Sequence, residues 1–146
     1  MEGREKERAN YVRDIIDNQF HGSEATDWGI KMEPFARRRL EDELKQPVYL
    51  CGLLVHSENQ FLGGSPDGLV GKDTVVEIKC PFTFKDLSTE EVEKIISEGK
   101  IDFHLPNGDL KEINYQVQGQ LELTNRKNAI FVVYSPSYFR KQTIKR

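Results

Sequence analysis

Two rhythms of apolar residues divide the chain. Met32, Ala36, Leu40 and Leu44 recur at every fourth position, the stripe of an amphipathic helix from about Trp28 to Leu44, with Thr26 or Asp27 placed to cap it and Pro47 to end it. Val12, Ile15, Ile16 and Phe20 predict an opening helix within Met1 to Phe20, and Val92, Ile95 and Ile96 predict another between Asp86 and Gly99, capped by Ser88 or Thr89. Ile113, Val117 and Leu121 mark a further helix, with Gln116 and Gln120 along one side of its stripe. Thr74 to Cys80 alternates instead with period two and is rich in β-branched residues, so it reads as a strand. Two continuous apolar runs, Val48 to Val55 and Ala129 to Tyr134, read as buried strands. Ser135-Pro136 stops the second of them and leaves a short tail.

The strand from Thr74 carries charge on one side. Val76, Ile78 and Cys80 face one way, while Glu77 and Lys79 share the other face. Gly71-Lys72-Asp73 is a turn signal, and a hairpin centred on Lys72 pairs positions whose numbers sum to 144, which sets Asp67 opposite Glu77. Gly63 and Gly64 permit a bulge or close backbone approach, and Pro66 suits a strand edge, so this stretch is able to aim Asp67 into a cleft. Like charges about 5 Å apart across an antiparallel pair destabilise a sheet. Lys79 is one source of compensation, roughly 7 Å along the strand. A hard divalent cation is the better one, since Mg²⁺ takes one or two carboxylates and completes its octahedron with water and phosphate oxygens. Two carboxylates on a metal with a lysine beside them suit phosphodiester hydrolysis: the ion acidifies a bound water and Lys79 places it or helps remove its proton.

Composition narrows the setting. A length of 146 residues fits one domain with a single core. The mean hydropathy of −0.62 fits a soluble protein. No apolar run approaches the roughly 20 residues of a membrane span. Charged Glu2, Arg4, Glu5, Lys6, Glu7 and Arg8 leave no room for a secretory signal, so an intracellular protein without a membrane partner is expected. Cys51 and Cys80 fall in strand-like segments and read as buried free thiols. His21, His56 and His104 show no zinc-ligand spacing. A net charge of −3 argues for a local nucleic-acid contact surface. The groups available for phosphates are Arg37 with Arg38 and Arg39, Lys72, Arg126, Lys127 and the tail Arg140, Lys141, Lys145 and Arg146, most of them ordinary solvated charges. Ser65, two residues before Asp67, is a further candidate contact.

Ser65-Pro66-Asp67-Gly68, a ten-residue step to Glu77, and Glu77-Ile78-Lys79 resemble the PD-(D/E)XK nuclease motif. Within that superfamily, Ser-Pro-Asp-Gly-Leu followed by Glu-Ile-Lys-Cys-Pro-Phe-Thr resembles the lambda exonuclease-like (YqaJ-type viral recombinase) branch. Trp28-Gly29-Ile30-Lys31-Met32-Glu33 resembles that branch's upstream glutamate helix, and Tyr115-Gln116-Val117-Gln118 its downstream glutamine helix, in the same order. The resemblance implies an α/β restriction-endonuclease-like core, a mixed central β-sheet flanked by helices. It implies a DNA exonuclease acting on linear duplex in viral-type recombination, with Mg²⁺ or Mn²⁺ as cofactor. Asp67 and Glu77 would bind metal with the Ile78 carbonyl, Lys79 would generate or place hydroxide, and Glu33 and Gln116 would complete the site. Without the resemblance, Glu33 reads as a surface partner for Arg37 at i, i+4.

Nothing before Trp28 matches the branch's arginine and Thr-Ala-Ser segment, and the sequence ends ten residues after Pro136, so a nuclease core with absent or shortened flanks is expected. The resemblance implies a ring-shaped trimer, which depends on those flanks, and a single-strand annealing partner. The 37 residues from Lys79 to Gln116 are a longer interval than the branch suggests, with the excess around Ile101 to Lys111. Two other functions fit the same fold: a catalytically silent module that binds nucleic acid or a recombination partner, and a structure-selective endonuclease.

Overall fold

The computed structural model describes residues 23–58, 63–100 and 114–146. The expected opening helix, the Asn59-Gln60 turn and the loop from Leu105 to Asp109 lie outside these residues. The elements are α1 (Glu24–Leu44), β1 (Leu54–Val55), β2 (Gly63–Gly64), β3 (Gly68–Val70), β4 (Thr74–Lys79), a 3₁₀ turn (Phe82–Phe84), α2 (Thr89–Ser97), α3 (Asn114–Thr124), β5 (Asn128–Ser135) and β6 (Tyr138–Lys145).

The main sheet has the order β3-β4-β5-β6. β4 and β5 run parallel, and the two outer pairs are antiparallel, so the sheet is mixed as expected. β5 is apolar on both faces because both faces are covered. On one side Val76, Ile78, Ile130 and Val132 meet Ala36 and Leu40 of α1. On the other, Val75 and Ala129 meet Val117 and Leu121 of α3, while Phe131 and Val133 meet Phe84, Val92 and Ile96. The four-residue stripes of the sequence are thus the faces that seat each helix.

Several boundaries differ from expectation. α1 begins at Glu24 because Ser23, not Thr26 or Asp27, is its cap, accepting the Thr26 N–H at 3.2 Å. It continues through Pro34, which removes one i→i−4 bond without ending the helix. It stops at Lys45 in the left-handed region (φ 55°), two residues before Pro47. For α2 the capping expectation holds: Ser88 accepts the Glu91 N–H and the Glu91 carboxylate accepts the Ser88 N–H, a capping box.

The run from Val48 to Val55 is not a buried strand. Val48 is buried, and Tyr49 makes one antiparallel bridge to Leu69, but Tyr49, Leu50, Leu53 and Val55 are exposed. The three-residue β3 offers little ladder to extend, and only Leu54 and Val55 pair again, with Gly64 and Gly63. The short tail expected after Pro136 is instead β6, paired along all of β5. Its Arg140, Lys141 and Lys145 give it the polar character of a sheet edge, which hides a strand from an apolar-pattern reading.

The β3–β4 register sums to 144 as predicted, with Gly68, Leu69 and Val70 opposite Val76, Val75 and Thr74. The turn is held by Gly71 at φ 54° and by Arg126, whose Nη1 lies 2.9 Å from the Gly71 carbonyl oxygen, 3.0 Å from that of Thr74 and 3.4 Å from that of Val70. A Cβ at Gly68 would stand 2.3 Å from Val48 Cγ1. Valine is stiff at χ1, so relief requires the backbone to move. Gly68→Ala should therefore lower stability by about 1–3 kcal/mol in chemical denaturation; an unchanged midpoint would show that the Val48–Gly68 contact is not tight.

Candidate active site

The carboxyl end of β4 lies beside a parallel neighbour, the position at which open α/β sheets hold their ligands. Glu77 is there, only 4% exposed, on the sheet face that carries α3. A buried carboxylate is costly unless its oxygens find donors. Both do: Lys79 Nζ lies 3.0 Å from Oε1, and Gln120 Nε2 donates to Oε2 at 2.9 Å. Gln120 reaches it because its neighbour Leu121 is locked against Val75 in the core.

Asp67 arrives from the other strand. The β3 ladder ends at Gly68, and Asp67 shifts by one from the expected pairing with Glu77, its N–H donating to the Val76 carbonyl at 3.0 Å. Its Oδ2 accepts the Ile78 N–H at 2.7 Å. Burial, and next the charge of Glu77, push the Asp67 carboxyl up to about 7, with Glu33 adding a smaller push. The Ile78 N–H and Lys79 oppose this and do not prevail. The Cys80 thiol is pushed up to about 12, first by burial and then by Glu33 and Asp67. Two separate groups therefore feel the Glu33 carboxylate from α1. Both cysteines are free, as expected, but each is half-buried instead of buried and lies outside the strands.

Asp67, Glu77, Lys79 and Glu33 thus occupy one electrostatic neighbourhood. Glu33 also makes the i, i+4 pair with Arg37 at 2.6 Å, so the surface-pair reading and the site reading both describe it. Ile78 meets Asp67 through its N–H. Gln116 lies on α3 one turn before Gln120, and its side chain is outside the described residues. Gln120 is the residue whose place at Glu77 the sequence did not single out; its signal was the shared helix side with Gln116 and its position beside the core Leu121.

The expected DNA contacts do not gather here. Lys72, Arg126 and Lys127 cluster at the β3–β4 turn, the far end of a strand whose five steps from Thr74 to Lys79 span roughly 16 Å. Arg126 is committed to backbone carbonyls of that turn, and the Lys127 N–H bonds Asp73 O at 3.0 Å. Arg37 is committed to Glu33 through Nη2. Ser65 is exposed, two residues before Asp67.

Among the described residues, no three His, Cys, Asp or Glu side chains converge on one point that could hold an ion. Glu33, expected as an additional ligand, forms no such group with Asp67 and Glu77; its Oε1 is on Arg37. Two hard carboxylates whose mutual repulsion is not cancelled by Lys79 fit a cation that takes one or two carboxylates and otherwise keeps water and phosphate oxygens. They do not form an all-protein cage.

The raised Asp67 has a pH signature. Between its ordinary value of 3.8 and about 7, the folded state holds a proton that the unfolded chain has lost, so stability falls as pH rises through this window and levels off above it. Thermal melts of chelator-treated protein should show Tm declining from about pH 4 to about pH 7, and Asp67→Asn should flatten that decline. A wild-type Tm that climbs across the window would contradict the buried carboxylate pair.

Residues 3–127 match the model of the YqaJ-like viral recombinase domain. No curated protein matches the chain. The alkaline exonuclease LHK-Exo from Laribacter hongkongensis is 30% identical, with a TM-score of 0.67 over 95% of this chain and 69% of its own. LHK-Exo in complex with dAMP superposes with a TM-score of 0.68 at the same identity and coverage. A phage related exonuclease from Haemophilus somnus 129PT shares the fold at 16% identity, with a TM-score of 0.58 over 94% of this chain and 71% of its own. The mixed α/β fold is of the PD-(D/E)XK type. With its sequence matched over residues 3–127 and its fold shared with a 30%-identical exonuclease, the chain belongs to the YqaJ-like viral recombinase domain family.

Proposed function

We propose that this chain is a metal-dependent deoxyribonuclease that hydrolyses phosphodiesters from the ends of linear duplex DNA. The observation that carries the reading is the buried Glu77, bracketed by Lys79 and Gln120 and set beside an Asp67 whose carboxyl is held up by burial and then by Glu77. Such a pair is unfavourable in a folding sense and explicable as a seat for a divalent cation. Asp67 and Glu77 would hold Mg²⁺ or Mn²⁺, with the Ile78 carbonyl as a further oxygen. The ion would polarise a phosphoryl oxygen and lower the pKa of a bound water.

The chain's own groups do the rest. Gln120 anchors one Glu77 oxygen and Lys79 the other, which fixes the carboxylate before substrate arrives. Lys79 is one-third exposed, so its ammonium is positioned at the open side of the cluster, where it can orient a nucleophilic water or a phosphate oxygen. Arg37 restrains Glu33, whose charge adds to the field drawing a cation in. The LHK-Exo complex supports an exonuclease over an endonuclease, because dAMP is a nucleoside monophosphate of the kind end-wise DNA hydrolysis releases.

Linear duplex DNA incubated with Mg²⁺ or Mn²⁺ should be degraded, and closed circular DNA of the same sequence should survive. Glu77→Gln and Lys79→Ala should each lower the rate by roughly 10²-fold or more. Wild-type protein that binds linear DNA but cuts it with neither metal would make the chain a binding module instead. Cleavage of closed circles would make it an endonuclease.

A further inference from the structure

Beyond the carboxylate cluster, a cavity of about 270 Å³ opens between the first turns of α1 and the 3₁₀ turn after β4, lined by Glu24, Asp27, Trp28, Lys31, Phe82 and Lys85. Lys85 Nζ stands 5.5 Å from the centroid of the Trp28 ring and 5.6 Å from that of Phe82, a cation held between two aromatic faces. Among the described residues, the buried Trp28 Nε1 has no hydrogen-bond partner. An unmade buried hydrogen bond is unfavourable, so packing alone would be served better by phenylalanine. What the indole offers here over phenylalanine is its wider π-face, which Lys85 already overlies.

The lining identifies the ligand class. Two lysines face two carboxylates, which leaves no net positive charge for a bare phosphate. Aromatic faces with both hydrogen-bond donors and acceptors at the rim suit a planar, neutral heterocycle that carries both kinds of group, and the volume lies just under the usual range for drug-sized ligands. The position is equally specific. Trp28 precedes Glu33 by five residues on one helix, about 7.5 Å along the axis, or roughly two base steps of 3.4 Å. Phe82 and Lys85 follow Lys79 by three and six residues. The same two segments thus carry the cluster and the cavity.

We propose that this cavity is a base subsite: an unstacked nucleobase of the strand entering the carboxylate cluster displaces the flexible Lys85 side chain from the Trp28 face and stacks there, with Lys85 and the rim carboxylates then reading its edge. The proposal rests on the nuclease reading for its substrate, but its test does not require cleavage.

Trp28 is the chain's sole tryptophan, so its fluorescence reports on the cavity alone. In chelator, a short single-stranded deoxyoligonucleotide should quench that fluorescence and bind roughly tenfold more tightly than an oligonucleotide of the same length made of abasic sites. Phe82→Leu, folded by circular dichroism, should narrow the difference between the two probes. Equal affinity and equal quenching by the abasic probe on wild-type protein overturn the subsite, whether or not the chain cuts DNA. Base-dependent quenching in a protein that never cuts would keep the subsite and remove the nuclease reading.

Discussion

A carboxylate that the fold buries, and then surrounds with specific donors, constrains everything near it. Glu77 lies under α3 at the end of a strand, where an unpartnered charge would be untenable. Lys79 must therefore stay on the same strand face, and Gln120 must project from a helix whose own anchorage is Leu121 against Val75. Asp67 then adds a second carboxylate that the first one disfavours. The sheet, the crossover through α2 and α3, and the packing of α1 are what hold these groups together against their repulsion.

The parts of this arrangement that obey periodicity were legible in the sequence. Period two placed Glu77 and Lys79 on one face, and the Gly71 turn fixed the register that brings Asp67 near them. The four-residue stripes mark Ala36, Leu40, Val117 and Leu121, all buried in the core. What escaped depends on tertiary context. β6 is a strand because β5 needs a partner, not because its own residues are apolar. Val48 to Val55 is apolar yet largely uncovered, since β3 offers only three residues to pair with. That Gln120 reaches Glu77 depends on how α3 seats on the sheet through Val117 and Leu121, which its own sequence does not reveal.

Charge behaved similarly. The basic residues most visible in the sequence as doublets or triplets are engaged by the fold: Arg37 with Glu33, Arg39 with Glu43, and Arg126 with the hairpin turn. Lys31 and Lys85, which line the cavity beside Trp28, are isolated cations in the sequence and were not among the expected phosphate contacts. Their significance comes from two segments meeting, which one-dimensional charge counting does not capture.

The grip of Arg126 on the hairpin has a mechanical corollary. This side chain follows α3 directly and fastens the corner between α3 and β5 to the bend at the opposite extremity of β4 from Glu77. A lever fixed at both extremities transmits little error, so the alignment of Gln120 with Glu77 is governed in part by a latch three residues back along the strand, roughly 10 Å away. Since misplacement by about 1 Å is enough to slow chemistry by about 10²-fold, the geometry at Glu77 becomes in part a property of a solvent-facing bend at the other end of its strand.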